Sequence, residues 1–565
     1  MKRLLCLLLL VSLLLPLATG CDTPASQAAA KRQKQKQDYE NRKILTPKNH
    51  PRPTASKQRT PKPTTTDDTD PLDTIARSFD ASQSRLRPTV GRGEDVSIRK
   101  ITTAIHASLE LGPTLVIWVV DRTSSSQKIV LSAVESARKW YDSTEAKAAL
   151  GTADQKLLTA IVAYDETAEF LLDPPSADGQ AVKAAFDKIQ PSGSGREKTF
   201  TTLQQTLEKY LPLRTTGGRE VVLVVLTDEA GDDANLADDV IDMTRRAALP
   251  IYVIGSPAPW GQASPGAADP KKADLTKTDD SAPVHGPESV ASERVDIEMI
   301  RISYGYNPGN PSDLSLIDSG FGPFALERLC RASGGQFFIV RPERGSNYTF
   351  RGTTYTYWPS GNEVGFTLEN LSKYAPDYVS PAEYQKLLAE NPARQAVHNA
   401  AQLPKLVIDE TPTLNFPRND RTTEAKMKQN LDRAQQYAAK WGPKIDPFYA
   451  TLIPGEAGRD KLTSPRWQAA YDLAMGRVLA CKVRIDGYNS MIAALKRGKT
   501  FANPGSTQWI LEPADVFETE STLKKMGERA KMYLERVKTE HVGTPWAKIA
   551  EEELKSPLGW TWKEA

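Results

Sequence analysis

The sequence is poor in cysteine, in histidine and in net charge, and each shortage excludes a class of protein. Its 565 residues contain four cysteines and five histidines, and 73 basic against 70 acidic residues give a formal net charge of +3. Four cysteines are too few for a disulfide framework, and their spacing is not that of a zinc site. A nearly neutral chain creates no overall field that attracts nucleic acid. We therefore expect a globular protein of two or more domains with no nucleic-acid partner.

The short motifs of common enzyme classes are also missing. The sequence contains no His-Glu-x-x-His, no Gly-x-Ser-x-Gly and no Gly-x-x-x-x-Gly-Lys-Ser/Thr, and its histidines are far apart in the chain. We therefore expect that the protein is not an enzyme.

The N-terminal apolar run is too short to span a membrane comfortably. It occupies residues 4–15, follows Lys2 and Arg3, and leads to the small residues before Cys21. This order predicts a signal peptide over residues 1–20. Its end resembles the lipobox of bacterial lipoproteins, although Ala18 stands where leucine is commonest. The resemblance implies acylation of Cys21 and a membrane-anchored protein of the cell envelope, facing the periplasm or the exterior. An ordinary signal peptide with a nearby cysteine is the alternative.

Residues 21–93 show no sustained apolar periodicity. Lysines and arginines dominate the first part, and prolines among threonines dominate the second. This composition predicts a disordered tether. Its basic part either lies against an anionic surface or is a solvated spacer.

A folded domain is predicted over residues 94–342, where apolar runs alternate with helical patterns. The first run, residues 114–120, is β-branched and aromatic, and three more follow at 158–164, 221–227 and 251–255. Strands that are buried on both faces and separated by helices indicate a doubly wound, mainly parallel α/β sheet, which binds ligands beyond the carboxyl ends of its strands.

Polar side chains follow two of these strands directly. Asp121, Thr123 and Ser125 follow the first, Thr227 and Asp228 follow the third, and a polar loop over residues 193–202 comes between them. Carboxylates and hydroxyls suit Mg²⁺, Mn²⁺ or Ca²⁺. An acidic run over residues 229–239 is interpreted as a solvated helix start, with a smaller chance that it shapes the site.

The pattern resembles the von Willebrand factor A (vWA) domain over roughly residues 95–342. That family's Asp-x-Ser-x-Ser appears as Asp121-x-Thr123-x-Ser125, and its Thr-Asp as Thr227-Asp228. The resemblance implies a divalent metal site, with Mg²⁺ as the expected ion and Mn²⁺ or Ca²⁺ as alternatives. A protein partner would offer an acidic side chain to that ion. The implied ligands are Asp121, Thr123, Ser125, Thr201 and Asp228, and Thr199 is an alternative to Thr201.

Two further regions are predicted. A proline-rich insertion at about 256–320 is either a partner-recognition loop or loosely ordered decoration. Residues 343–565 show helical spacing and end in a tryptophan-rich segment that we expect to pack on the same chain. Cys330 and Cys481 either form a disulfide or remain two buried thiols.

Two functions fit these features. The first is metal-dependent protein binding, in adhesion or assembly, by a membrane-anchored extracytoplasmic vWA-domain protein. The second is a metal-independent envelope scaffold that acts through the helical C-terminal region.

Overall fold

The computed structural model describes residues 94–150, 155–258, 260, 288–295, 297, 318–341, 347–350, 353–356, 366–367, 369–404, 406, 411–418, 424–517 and 521–565. The predicted signal peptide, Cys21 and the predicted tether lie outside these residues, as does most of the predicted insertion. Within the described parts of the chain, no helix has the length and apolar character needed to cross a membrane.

A six-stranded sheet forms the centre of the N-terminal half. Its strands are β1 (Thr114–Asp121), β2 (Leu157–Tyr164), β3 (Ala168–Ser176), β4 (Glu220–Leu226), β5 (Ile251–Gly255) and β6 (Gln336–Ile339). They lie in the order β3-β2-β1-β4-β5-β6, and all neighbours are parallel except β2 and β3. All eight residues of β1 are buried, as expected for a strand covered on both faces.

Helices cover both faces of this sheet. They are α1 (Glu94–Leu111), α2 (Gln127–Tyr141), α3 (Thr144–Ala149), α4 (Gly179–Asp187), α5 (Thr199–Thr215), α6 (Ala237–Arg246) and α7 (Phe324–Ser333). Ile117 of β1 packs into the core on one face and Trp118 into the core on the other, because successive strand side chains point in opposite directions. The predicted doubly wound, mainly parallel fold is confirmed.

The antiparallel strand β3 forms one edge of the sheet. This strand contains Pro174 and Pro175, and its pairing with β2 is irregular between Thr159 and Val162. Proline is tolerated there because an edge strand has only one neighbour to bond.

The C-terminal region is mainly helical, as predicted. Its helices are α8 (Pro381–Glu390), α9 (Pro392–Ala401), α10 (Glu424–Leu452), α11 (Glu456–Arg459), α12 (Pro465–Lys496), α13 (Ser521–Glu540) and α14 (Pro545–Leu554). Helix α12 packs between α10 and α13. Its buried residues extend around the helix, and this explains why the apolar pattern predicts a core element.

Two small sheets accompany these helices. One contains β9 (Asn415–Pro417), β10 (Gln508–Ala514) and β11 (Gly559–Glu564) in the antiparallel order β11-β10-β9, and the other is a hairpin of β7 (Asn347–Phe350) and β8 (Thr353–Thr356). Trp546 in α14 and Trp560 in β11 are both buried in the core of this region. The tryptophan-rich tail therefore packs within its own chain.

One described part of the insertion, residues 288–295, is fixed to the helical region through a buried cation. Arg466, near the start of α12, donates from Nε to Glu293 Oε2 and from Nη2 to Glu288 Oε1, both at 2.7 Å. Tyr384 of α8 donates to Glu293 Oε1 at 3.0 Å. These contacts join the segment that follows β5 to the helices, so the two halves of the chain share a buried ionic interface.

The two described cysteines are separate thiols. Cys330 in α7 and Cys481 in α12 are both buried, and neither forms a disulfide. Of the two alternatives left by the sequence, the structure therefore has no disulfide between them.

Candidate metal centre

Asp121, the last residue of β1, lies at the carboxyl edge of the sheet and is completely buried. Its Oδ1 accepts hydrogen bonds at 2.8 Å from both the backbone N–H and the hydroxyl of Thr123. Its Oδ2 accepts at 3.0 Å from the hydroxyl of Thr227, which follows β4. Both oxygens are therefore fixed by the loops that leave the two central strands.

The two hydroxyls of the first loop connect Asp121 with the other carboxylates. Thr123 Oγ1 lies 3.1 Å from Ser125 Oγ, and Ser125 Oγ lies 3.4 Å from Asp228 Oδ1. The hydroxyl of Ser126 lies within hydrogen-bonding distance of the backbone carbonyls of Asp121 and Thr123, at 3.2 and 3.1 Å, and donates to one of them, which holds the loop in this shape. The structure thus brings together four of the five predicted ligands, namely Asp121, Thr123, Ser125 and Asp228.

The third carboxylate of the cluster is Glu197, which the sequence analysis did not select. Its Oε1 accepts from Thr123 Oγ1 at 2.8 Å and from Ser125 Oγ at 3.3 Å. Oxygen atoms of Asp121, Glu197 and Asp228 lie within 4.8 Å of one another, and all three residues are buried. One signal was available in the sequence, since Glu197 lies in the polar loop that the topology places at this edge.

Thr201 has a different contact. Its hydroxyl and its backbone N–H both donate to Asp233 Oδ2, at 2.6 and 2.8 Å. Asp233 also accepts from the N–H of Phe200, so it caps the N-terminus of α5. The hydroxyl of Thr199 lies 3.1 Å from that of Tyr164. Part of the acidic run, expected to be solvated, therefore organises this loop, and Asp233 is buried.

The hydroxyl hydrogen atoms of Thr123 and Ser125 are too few to satisfy the three carboxylates when all of them are ionised. The hydroxyl of Thr123 is within bonding distance of both Asp121 and Glu197, and that of Ser125 is near both Glu197 and Asp228, but each hydroxyl has one hydrogen to donate. Glu197 Oε2 is buried and has no hydrogen-bond partner among the described residues. No described lysine or arginine forms a salt bridge with the three carboxylates.

The electrostatic consequence is that negative charge is disfavoured here. Burial raises the pKa of Asp121 to about 6, and burial together with the charges of Asp121, Asp228 and Glu229 raises the pKa of Glu197 to about 11. Burial and neighbouring charges also hold the pKa of Asp228 well above its usual value. Burial raises the pKa of Glu229 to about 7. A cation at this position would favour the ionised forms.

The donor set fits a hard divalent cation. Three carboxylates and two hydroxyls offer only oxygen, which is what Mg²⁺, Ca²⁺ and Mn²⁺ prefer. Within the cluster only Ser125 is exposed, so it is the member that contacts solvent. The chemistry of the residues does not select one of these ions.

The strand order and the loops at its carboxyl edge make this part of the chain a vWA-like domain. No protein-family model and no curated protein matches the sequence. Among solved structures, the chain is similar to the conserved hypothetical protein BatB from Bacteroides thetaiotaomicron, with 13% identity, a TM-score of 0.24 and coverage of 40% of this chain and 90% of that chain. It is also similar to the SpRpn10 VWA domain, with 10% identity, a TM-score of 0.23 and coverage of 46% and 94%. The class of fold follows from the chain's own topology and site.

Proposed function

We propose that the protein is a membrane-anchored extracytoplasmic vWA-domain protein that binds a protein partner in a metal-dependent manner at the cell envelope. The observation that carries the proposal is the buried group of Asp121, Glu197 and Asp228, which contacts two hydroxyls and forms no salt bridge with a described basic residue. Burying three carboxylates without a counter-charge is unfavourable, and a divalent cation would remove that cost.

Each residue has a part in such a site. Asp121 and Asp228 would hold the ion from the two central strand ends, and Thr123 and Ser125 would offer hydroxyl oxygens. A bound cation supplies positive charge that attracts an acidic side chain of a partner. Because Ser125 is the exposed member, the partner would approach from its side of the cluster. Adhesion or assembly would then be reversible and sensitive to chelation.

Calorimetric titration with Mg²⁺ and Mn²⁺ tests the metal site. The wild-type protein should bind an ion, and Asp121→Ala should lose most of that binding, because the variant removes an oxygen ligand between the two loops. Asp142→Ala is a matched control, since Asp142 is a half-exposed aspartate in a different loop. Identical heats for wild type and Asp121→Ala would exclude the proposal.

Metal-dependent binding of a protein partner is tested with the same variants. Capture of a protein from envelope extracts should be lost both with chelator and with Asp121→Ala. Capture that survives both treatments would favour the alternative function, a metal-independent scaffold that acts through the helical C-terminal region.

Membrane anchoring is tested separately through Cys21. In the full chain, Cys21→Ser should move the protein from the membrane fraction to the soluble fraction and abolish labelling with palmitate, because the acyl chains supply the binding energy. Cys6→Ser is the control, since Cys6 lies inside the predicted signal peptide. Membrane association that persists without label in Cys21→Ser would contradict the anchor.

A further inference from the structure

The position of Glu197 differs from that of the other two carboxylates. Asp121 ends β1 and Asp228 follows β4, whereas Glu197 comes from the loop before α5 and contacts the two hydroxyl-bearing residues. Its Oε1 lies within hydrogen-bonding distance of both Thr123 Oγ1 and Ser125 Oγ. A carboxylate in contact with both hydroxyls stands where an acidic side chain of a partner would have to reach.

Glu197 is held in this position by its backbone. Its N–H donates to Asp232 Oδ2 at 3.2 Å, and its carbonyl accepts from the N–H of Asp232 at 2.8 Å. Gly231 makes this close approach possible. It has a φ of 78°, and a Cβ there would lie 2.4 Å from Thr199 Oγ1 and 3.0 Å from Glu197 O. The loop that carries Glu197 is therefore fixed against the loop that follows β4.

The second carboxylate oxygen of Glu197, Oε2, is evidence for a ligand. Glu197 is 4% exposed, and its Oε2 is buried without a hydrogen-bond partner among the described residues. Leaving a buried carboxylate oxygen unsatisfied is costly, and the neighbouring carboxylates offer it no hydrogen while they are ionised. A cation between the three carboxylates would satisfy this oxygen as well as those of Asp121 and Asp228.

The net charge of the metal-loaded site would decide how strongly it attracts a carboxylate of a partner. Two aspartates balance a divalent ion, so a site built from Asp121 and Asp228 alone stays attractive to a further carboxylate. A third ionised carboxylate makes the loaded site negative overall, and it fills one position on the ion. An acidic side chain from outside then meets both repulsion and an occupied position.

We propose that Glu197 is a resident acidic ligand of the metal site, which a partner's carboxylate must displace before it can bind the ion. The proposal rests on the proposed function and deepens it. Glu197 would strengthen retention of the ion in the free protein and weaken the binding of simple carboxylates. Only a partner that also contacts the surrounding surface would compensate for its displacement.

The number of water molecules on bound Mn²⁺ tests this assignment. Water-proton relaxation measures that number, and the same titration gives the affinity. In Glu197→Ala, we expect Mn²⁺ to bind at least about tenfold more weakly and to carry about one more exchangeable water, because a protein ligand is replaced by solvent. The extra water should increase the water-proton relaxation of the variant. Acetate should reverse this increase in the variant, and it should leave the relaxation of the wild type unchanged. Glu197→Gln keeps the shape of the side chain and should also weaken binding.

Glu166→Gln is the matched control. Glu166 pairs with Arg196, the neighbour of Glu197 in the same loop, but lies outside the cluster. It should keep wild-type affinity and relaxation, and thermal unfolding should show that all variants are folded. Wild-type affinity and water number in Glu197→Ala would overturn the proposal. Loss of all Mn²⁺ binding in folded Glu197→Ala and Glu197→Gln would support it. Absence of binding in wild type, or unchanged binding in Asp121→Ala, would instead refute the metal site itself.

Discussion

Replacing Arg466 with methionine is expected to lower the free energy of unfolding by about 3–5 kcal/mol, the range for removal of one partner from a buried ion pair. Arg466 is 1% exposed, contacts Glu288 and Glu293, and donates to the backbone carbonyl of Tyr374 at 3.1 Å. The substitution removes the cation that both glutamates contact, while methionine keeps much of the apolar volume. The loss therefore reports the charge and its hydrogen bonds more than a cavity.

Urea unfolding measures this effect. Arg138→Met is the control, because Arg138 pairs with Asp187 at the surface, where an ion pair contributes about 1 kcal/mol or less. Combining Arg466→Met with Glu288→Gln and Glu293→Gln should recover part of the loss, since no buried anion then remains at this position. A decrease below about 1 kcal/mol in the single variant would show that the ionic interface does not hold the two halves together.

Asp228→Asn is expected to stabilise the metal-free protein and to abolish its stabilisation by Mn²⁺. The folded-state pKa values at this edge are raised, to about 6 for Asp121 and about 7 for Glu229, and well above the usual value for Asp228. The folded state therefore binds more protons than the unfolded state at these pH values. The contribution of these groups to the free energy of unfolding is therefore most favourable below about pH 4. It becomes less favourable as the pH rises towards 7.

The raised pKa of Asp121 indicates the size of the free-energy cost at this edge. Raising the pKa of Asp121 from 3.8 to about 6 corresponds to roughly 3 kcal/mol at neutral pH, at about 1.4 kcal/mol for each pH unit. Burial and the charge of Asp121 raise the pKa of Asp228, so Asp228→Asn should remove the cost of burying this charge together with its repulsion of Asp121. Mn²⁺ should stabilise the wild type more at pH 7 than at pH 5, because protons compete with the ion for the carboxylates.

Thermal unfolding between pH 4 and 8, with chelator and with Mn²⁺, measures both effects. Asp142→Asn is the control, because the pKa of Asp142 is lowered by Lys183 and the residue lies away from the cluster. A difference in melting temperature between metal-free Asp228→Asn and wild type that does not grow from pH 4 to 7 would contradict the expected sign, provided that Asp142→Asn follows the wild type. Equal stabilisation of wild type and Asp228→Asn by Mn²⁺ would contradict the ligand role of Asp228.

The central sheet could be predicted because its strands are continuous apolar runs, and Asp121 and Asp228 could be predicted because they end two of those runs. Thr201 contacts Asp233 and not the carboxylate cluster. The helical pattern predicts a start near residue 202, but α5 begins at Thr199, so Thr201 already lies in the first turn. Its hydroxyl and N–H are then within reach of Asp233, which caps the helix.

Neither Glu197 nor the small C-terminal sheet could be predicted, because both lie in segments without a readable periodic pattern. A loop has no periodicity, so the sequence does not indicate which side chain of residues 193–202 turns inward. Strand β9 has three residues, too few to show an alternating pattern, and β10 contains Pro513. Their pairing depends on contacts between segments far apart in the chain, which the sequence pattern alone does not contain.

The edges of the central sheet bear on how a partner can attach. Strand addition needs a free row of backbone donors and acceptors, but β3 contains two adjacent prolines without N–H groups, and β6, at the other side, is four residues long. Neither edge offers a good template for another strand. The sheet is thus protected from growing into edge-to-edge aggregates, and the proposed partner binding would depend on the side chains at its carboxyl edge.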